Sequence, residues 1–520
     1  MASVRLAHWA EFSWEAAGGT VAAVTGLYLL GRWITSRRAR SEFPPGPRGL
    51  PVIGNLFDMP NAKEWLVYAE WAKKYGDIVG VRMPGTSIVF LNKEEDIKAL
   101  FSARAANYSN RLSTTMIRMS GWDTVLGLTN IGEYFRAQRR LMLKLLGSQA
   151  IKKTIPVYEQ LTREAIINLI HKRGEVQSHL KLAIGKLVLR LAYGYEVVDS
   201  NDRMLHYADI ALESAFYIMR PDWIVNALPF LRYLPSWLPG MSFKNIATES
   251  RILAECSHDE PFNWVKSQIA AGIAQPSFAL DILSDPNMVV DEAIIKEVLN
   301  NLYVAGADTM NATISWFILA MSLFPDAQRR AQEEIDALTG GIRLPCMDDR
   351  ASLPYLDALF KEVLRWNAVA NLGMLPHVSL AEDFYKGFRF PEGTVFMANV
   401  WSVLHDSTKY PHPFDFKPER FLDQPNGELI EGVQVNEDPN HFAFGFGLRI
   451  CPGRLLADSV VWSLMAQALA TCKISTAKYM DSTVITTSNV EYTSGVVSYP
   501  LPFTCKIVSR SDQAEMLLVE

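Results

Sequence analysis

The chain has 520 residues, 49% hydrophobic and 21% charged, which is ample material for a large core and excludes a disordered, collagen-like or disulfide-stapled chain. Its 51 Lys plus Arg against 56 Asp plus Glu leave a net charge of −5, without the basic excess that nucleic acid binding calls for. Five cysteines, at 256, 346, 451, 472 and 505, form an odd set with no C-x-x-C, so neither a disulfide framework nor a zinc ribbon is expected and a reducing compartment fits.

In chain order, residues 16–31 carry no charge, and the apolar run extends to about Ile34 if Arg32 snorkels. Arg37, Arg38 and Arg40 follow it, while Glu11 and Glu15 precede it. Residues 1–36 are therefore expected to form a single-pass membrane anchor, with the rest of the chain on the cytosolic side. A cleaved signal peptide is the rival, but it needs its basic cluster ahead of the apolar run. Residues 37–55, basic and then proline-rich (PPGPRGLPVIGN from Pro44), are expected to be extended and stiff, as suits a hinge. No later linker or repeat divides the chain, so 56–520 is expected to be one large mixed domain.

Most of residues 60–380 reads as helix. Short β signals lie at Ile78–Leu91 around Pro84-Gly85, at Phe384–Val400 around Pro391-Glu392-Gly393, and near Ser482–Val508. From Val298 to Phe324 the only charge is Asp308, which could suggest a second membrane span. Asn300, Asn301, Asp308 and Asn311 are spread over several faces, Asp291 and Glu292 mark a helix start and Pro325 a stop, so 292–324 is read instead as a buried central helix of about 50 Å. The stretch Trp223–Met241 contains prolines that forbid a span; it reads as core or as an aromatic flap at a membrane interface.

The sharpest chemical feature is Phe444-Gly445-Phe446-Gly447-Leu448-Arg449-Ile450-Cys451-Pro452-Gly453. A lone cysteine is usually a small buried hydrophobe. This one sits in a glycine-bearing loop two residues after a fixed cation, where backbone N–H groups and positive charge can keep a thiolate ionised and bound to a metal. A phosphate loop is excluded: Ile450 stands where G-x-G-x-x-G needs its third glycine, and no G-x-x-x-x-G-K-[ST] occurs. His171 and His206 lack metal-ligand spacing, and the sequons at Asn107 and Asn311 are idle in a cytosolic body.

The pattern F-x-x-G-x-R-x-C-x-G, complete at Phe444, Gly447, Arg449, Cys451 and Gly453, resembles the haem-binding loop of cytochrome P-450 monooxygenases. The resemblance covers essentially the whole chain, anchor and proline segment included, and is greatest to fungal microsomal members, particularly basidiomycete ones of secondary metabolism. It implies a mainly α fold with small β-sheets, haem b with Cys451 as axial thiolate, and insertion of one oxygen atom from O2 into a lipophilic small molecule. Electrons would come from NADPH through a separate cytochrome P-450 reductase, with cytochrome b5 as a further partner, at the endoplasmic reticulum membrane.

Other motifs match the same family. Glu362 and Arg365 form E-x-x-R on an apolar-periodic helix, and Pro418-Glu419-Arg420-Phe421 supplies the arginine that joins them in a buried structural cluster. Ala305-Gly306-Ala307-Asp308-Thr309 lies midway along the long helix, where Gly306 removes bulk beside the oxygen site and Asp308 with Thr309 deliver protons in order; uncontrolled delivery releases peroxide. A plain alternative for Thr309 is back-bonding to the carbonyl four residues earlier. Haem propionates need cations, and the resemblance nominates Arg449, His377 and Arg139. The family commonly has Trp where Phe135 stands, so an indole donor is lost there. Arg140 and Lys144 are expected on the cysteine side, where an acidic electron donor could dock.

For the substrate pocket the resemblance nominates Met116, Met119, Trp122, Phe216, Val304, Leu372, Met374 and Val496, an almost wholly apolar set that suits a terpenoid-like skeleton over a charged amine. Two other functions share the haem-thiolate loop: a reductase-independent isomerase or dehydratase, and a non-catalytic haem sensor or carrier. The Asp308-Thr309 pair argues for oxygen activation over both.

Overall fold

The longest uncharged stretch forms the longest helix. In the computed structural model, which describes residues 42–519 apart from 52, 173 and 424–434, this helix runs Glu292–Leu323. It begins where the Asp291 carboxylate accepts the Ala293 N–H at 3.0 Å, and it ends ahead of Pro325, the first residue of the next helix. Every residue from Met310 to Met321 is buried, so the sequence is apolar all round because the helix is surrounded by protein. Among the described residues no helix is long and apolar enough to cross a membrane. The expected anchor, 1–36, and the first residues of the 37–55 segment lie outside them.

The body is mainly α with small β-sheets. Its helices of twelve residues or more among the described residues are α1 (Glu64–Tyr75), α2 (Glu133–Leu145), α3 (Ser148–His171), α4 (Val176–Tyr193), α5 (Arg203–Ile218), α6 (Phe243–Ala270), α7 (Glu292–Leu323), α8 (Pro325–Thr339), α9 (Pro354–Trp366) and α10 (Arg454–Thr471). The axial helix α7 packs against α2, α4, α6 and α10, and one hydrophobic cluster runs through all of these helices.

The strands are β1 (Ile78–Met83), β2 (Thr86–Leu91), β3 (Asn110–Arg111), β4 (His377–Val378), β5 (Asp383–Tyr385), β6 (Phe388–Phe390), β7 (Val395–Ala398), β8 (Cys472–Tyr479) and β9 (Phe503–Ser509). Pro84-Gly85 makes the expected two-residue hairpin turn, with Met83 opposite Thr86 and φ +78° at Gly85. The turn at Pro391–Gly393 also forms, but it does not join the two strands of one hairpin. It passes the chain from β6, paired with β5, to β7, which runs parallel to β2 in a five-stranded sheet ordered β1-β2-β7-β4-β3. In the third β region only Phe503–Ser509 is a strand, and its partner β8 follows α10 without a turn residue between them.

The described part of the proline segment is extended and tied to the body. The Pro45 carbonyl accepts the Gly80 N–H at 2.9 Å, the Glu42 carbonyl accepts that of Arg389 at 2.6 Å, and Phe43 is buried. Within Trp223–Met241, Val225, Leu231 and Met241 turn into the core, while Ile224, Leu228, Phe230, Tyr233 and Trp237 are exposed.

Candidate active site

The cysteine loop is pressed against the body by its backbone. Gly447 has φ +52°, and a Cβ there would lie 2.1 Å from the Phe101 carbonyl oxygen, so only glycine fits. Phe446 is buried near Phe101, and the Cys451 N–H donates to the Phe444 carbonyl at 2.7 Å, closing the loop. Cys451 stands three residues before Arg454, the first residue of α10. Burial pushes its thiol up, while the N–H groups of Gly453 and Arg454 and the charges of Arg139 and Arg454 work the other way. The surroundings are thus those that favour a thiolate once a cation takes the sulfur.

Arg449 is half-buried and spends its N–H groups on backbone carbonyls. Its Nε–H donates to Ser109 at 2.7 Å, and its Nη groups donate to the carbonyls of Leu126 at 3.1 Å and Thr129 at 2.6 Å. Its guanidinium lies 4.2 Å over the ring of Phe135, so the phenyl group that replaces the usual indole serves as a cation–π floor. Beside it is Arg111, which sequence reasoning missed; it is buried and donates to the carbonyls of Gly127, Leu375 and Pro376 at 3.1, 2.5 and 3.1 Å. Neither guanidinium has a carboxylate partner among the described residues. Burial, with the charge of Arg139, pulls Arg449 down to about 10; burial, with the charge of Arg449, pulls Arg111 well below its usual value. Guanidinium keeps its proton in proteins, so two adjacent cations, Arg111 buried and Arg449 half-buried, call for an anionic neighbour.

Arg139 donates through Nη2 to the Ile450 carbonyl at 2.8 Å, which sets it against the cysteine loop. His377 differs from the expected cation. It is buried, stacked on Phe101 at 3.9 Å, and its Nδ1 lies 2.6 Å from the Tyr108 carbonyl. Burial and the charges of Arg111 and Arg449 hold it well below the usual histidine range, against the pull of the Tyr108 carbonyl.

On α7, Ala305 is exposed, between Tyr303 and Ala307, which are buried. The Thr309 hydroxyl donates to the Ala305 carbonyl at 2.9 Å, which is the back-bonded arrangement. The Asp308 carboxylate accepts from the Tyr499 hydroxyl. Burial raises the Asp308 carboxyl above its usual value, against the pull of that hydrogen bond and of Lys181. The two side chains are neighbours without a hydrogen bond between them. Tyr499 carried no sequence signal, because nothing in a C-terminal β region marks a tyrosine as reaching a helix almost two hundred residues earlier.

Glu362 and Arg365 are fully buried on α9. Arg365 donates from Nε and Nη2 to the Glu362 carboxylate at 2.7 and 2.8 Å and uses its remaining N–H groups on the carbonyls of Leu404, Pro413 and Asp415. Arg420 Nε reaches Glu362 at 3.1 Å, and the Lys417 N–H donates to it at 2.7 Å. The three residues therefore meet, and they fasten α9 to segment 404–420 ahead of the cysteine loop.

Of the expected pocket residues, Met116, Met119, Trp122 and Val304 share one apolar cluster with residues of α5 and α6. Within it Met116 and Trp122 are fully buried, and the Trp122 indole donates to Ser250 at 3.0 Å, so these two serve as wall from behind. Leu372 packs instead with Tyr68, Val79 and Phe90 beside the five-stranded sheet. Phe216, Met374 and Val496 are half-buried outside these clusters, Met374 with φ +71°.

The body is thus mainly helical around one long axial helix, with the cysteine loop beside the guanidiniums of Arg139 and Arg449. A sequence model of the cytochrome P450 family matches residues 44–506. Curated relatives include cytochrome P450 monooxygenase 208 of Postia placenta, 38% identical over 96% of each chain. Cytochrome P450 monooxygenase claR of Ampulloclitocybe clavipes is 36% identical over 95% of this chain and 90% of its own. Cytochrome P450 monooxygenase COX2 of Coprinopsis cinerea is also 36% identical, over 92% of this chain and 91% of its own. The chain belongs to the cytochrome P450 family, and its enzymatic class is that of a monooxygenase, an oxidoreductase.

The residues present fit the haem group of that family. The thiol has N–H donors and guanidiniums about it, and the charges of Arg111 and Arg449, without a carboxylate partner among the described residues, suit the two carboxylates that haem carries.

Proposed function

We propose that Cys451 is the axial ligand of haem b in this enzyme and that it oxidises a lipophilic small molecule in fungal secondary metabolism. The observation that carries the reading is the pairing of a glycine-cradled Cys451 with buried Arg111 and half-buried Arg449, which have no acidic partner among the described residues. When bound, haem supplies the iron that activates O2, and an axial thiolate favours O–O cleavage. Gly447 lets the loop lie close, Arg139 and the N–H groups of Gly453 and Arg454 support a charged sulfur, and Arg449 with Arg111 hold the anionic edge of the cofactor. Asp308 and Thr309 carry protons inward along α7; burial raises the Asp308 carboxyl, which makes it a readier proton carrier than an exposed aspartate.

Three surfaces support the partners of this reading. Arg136, Arg140 and Leu143 on α2 and Arg454 and Leu455 on α10 are exposed near the cysteine loop, a basic and apolar face suited to an acidic NADPH-dependent reductase or cytochrome b5. Lys144 is partly engaged, 3.4 Å from Asp285. The exposed Ile224, Phe230, Tyr233 and Trp237 suit a lipid interface at the endoplasmic reticulum. The apolar cluster of Met116, Met119, Trp122 and Val304 suits a hydrocarbon-rich, terpenoid-like substrate.

The test is co-expression with a fungal reductase and metabolite profiling under isotopically labelled O2. NADPH-dependent appearance of one labelled oxygen atom in a neutral lipophilic product is expected. Turnover without reductase, or spectral binding restricted to cationic amines, would overturn the reading.

A further inference from the structure

Tyr499 belongs to a C-terminal loop whose backbone is fixed at several points. The Thr493 N–H donates to the Tyr499 carbonyl at 2.8 Å, and the Thr493 hydroxyl accepts the Tyr499 N–H at 3.0 Å. Next to it, the Ser498 carbonyl accepts the Trp316 indole N–H from α7 at 3.0 Å, and the Ser498 N–H donates to Val369 at 2.8 Å. From this anchored position the phenol hydroxyl reaches the middle of α7. It lies 2.6 Å from the Asp308 carbonyl oxygen and also donates to the Asp308 carboxylate. A phenol has one proton, so these two acceptors compete for it, and the charged carboxylate is the stronger.

The other groups facing the carboxyl come from α4, α5 and α7. Lys181 on α4 and Asp209 on α5 act on Asp308 in opposite directions. Tyr303, on α7 itself, donates its hydroxyl to Asp209 at 2.7 Å. Lys181 lies 3.2 Å from Asp209 and 3.6 Å from Glu213, which is 74% exposed. Solvent is thus reached one residue beyond Asp209. The carboxyl of Asp308 sits between this opening and the face of α7 that carries Thr309, and in the present arrangement it is bonded to neither.

We infer that Tyr499 is the positioning residue of Asp308: its phenol holds the carboxylate between the solvent opening at Lys181–Asp209 and the Thr309 face, and releases it when the carboxylate takes up a proton. The inference rests on the proton-delivery reading of Asp308 given above. As a carboxylate, Asp308 accepts the hydrogen bond of Tyr499 and is held. On gaining a proton from solvent water it becomes a weaker acceptor, the phenol turns to the Asp308 carbonyl, and the neutral carboxyl is free to pass its proton to the Thr309 side. It then returns as a carboxylate to Tyr499. The phenol keeps its own proton throughout, since burial and the neighbouring Asp308 charge hold it far above its usual range.

The experiment is an infrared pH titration of the full-length, haem-loaded enzyme, following the carboxylic acid C=O band that Asp308→Asn removes. Tyr499→Phe deletes a donor to the charged form, so the midpoint of that band is expected to rise by about one pH unit or more. The pH profile of product formed per NADPH should move with it, with kcat affected and KM little changed. Fluorotyrosine introduced at position 499 is a better donor in the same shape and should move the midpoint down, which keeps the test intact if the phenylalanine variant is unstable. A midpoint unmoved by both substitutions, in an enzyme that Asp308→Asn does uncouple, overturns the positioning role alone. Unchanged coupling in Asp308→Asn overturns the proton-delivery reading and the positioning role with it.

Discussion

Thr309 and Glu297 lie on the same helix, and each supports a quantitative expectation. The Thr309 hydroxyl is back-bonded to Ala305, so removing it leaves the helix intact. Thr309→Ala should therefore keep haem content and substrate binding while product per NADPH falls by about tenfold or more and peroxide rises, measured as coupling stoichiometry. An unchanged ratio would remove Thr309 from proton delivery. Glu297 is buried, with one carboxylate oxygen accepting from Thr124 at 2.8 Å and the other unpartnered. Burial raises its pKa in the folded protein. A carboxyl raised above its unfolded value stabilises the fold only while protonated, and that stability is lost as the pH climbs through the raised value. Glu297→Gln keeps the acceptor for Thr124 and removes the titration. Its stability relative to wild type should grow from about pH 4 towards neutral, reaching about 1–2 kcal/mol in denaturant unfolding; a difference independent of pH would contradict this. At this scale the sequence was legible where a motif fixes spacing: the loop around Gly447 is glycine-dependent and the Glu362–Arg365 pair meets. Arg111 and Tyr499 were not legible, because a single arginine or tyrosine looks the same in sequence whether it faces solvent or a buried charge.

Helix α9 shows what a motif does for an element. The Glu362 carboxylate is held by two guanidiniums and a backbone N–H, and Arg365 spends all its donors on the carboxylate and three carbonyls. Removing Glu362 leaves two buried cations without an acid, a loss of about 3–5 kcal/mol. Glu362→Ala should give protein that no longer retains haem, read as the ratio of Soret to protein absorbance, and normal haem content in the purified variant would refute this role. The ends of α7 were legible because Asp291 and Pro325 are local signals. The partners of β7 and β8 were not. Parallel pairing of β7 with β2 joins residues about three hundred positions apart, and β8 runs straight out of α10, so neither leaves the turn chemistry that marks a hairpin.

Across the whole molecule, the family was readable from one loop, while the packing of the expected pocket residues was not. Four of the eight expected pocket residues gather in one apolar cluster, but Leu372 packs beside the sheet, because an apolar residue serves core and pocket alike. The proline segment is fastened to β6 through Glu42 and to β1 through Pro45, and both ties lie outside a deletion of 1–36. That deletion should release much of the protein from membranes on carbonate-free fractionation while haem content stays at the wild-type level; unchanged membrane partition would transfer anchoring to the exposed face at Ile224–Trp237. The most direct measurement on the centre itself is the carbon monoxide difference spectrum of the reduced protein, wild type and Cys451→Ser side by side. A thiolate centre on Cys451 gives the long-wavelength Soret band in the wild type and none in the serine variant. A wild-type band at the shorter wavelength of imidazole-ligated haem, or a thiolate band that survives in Cys451→Ser, would contradict it.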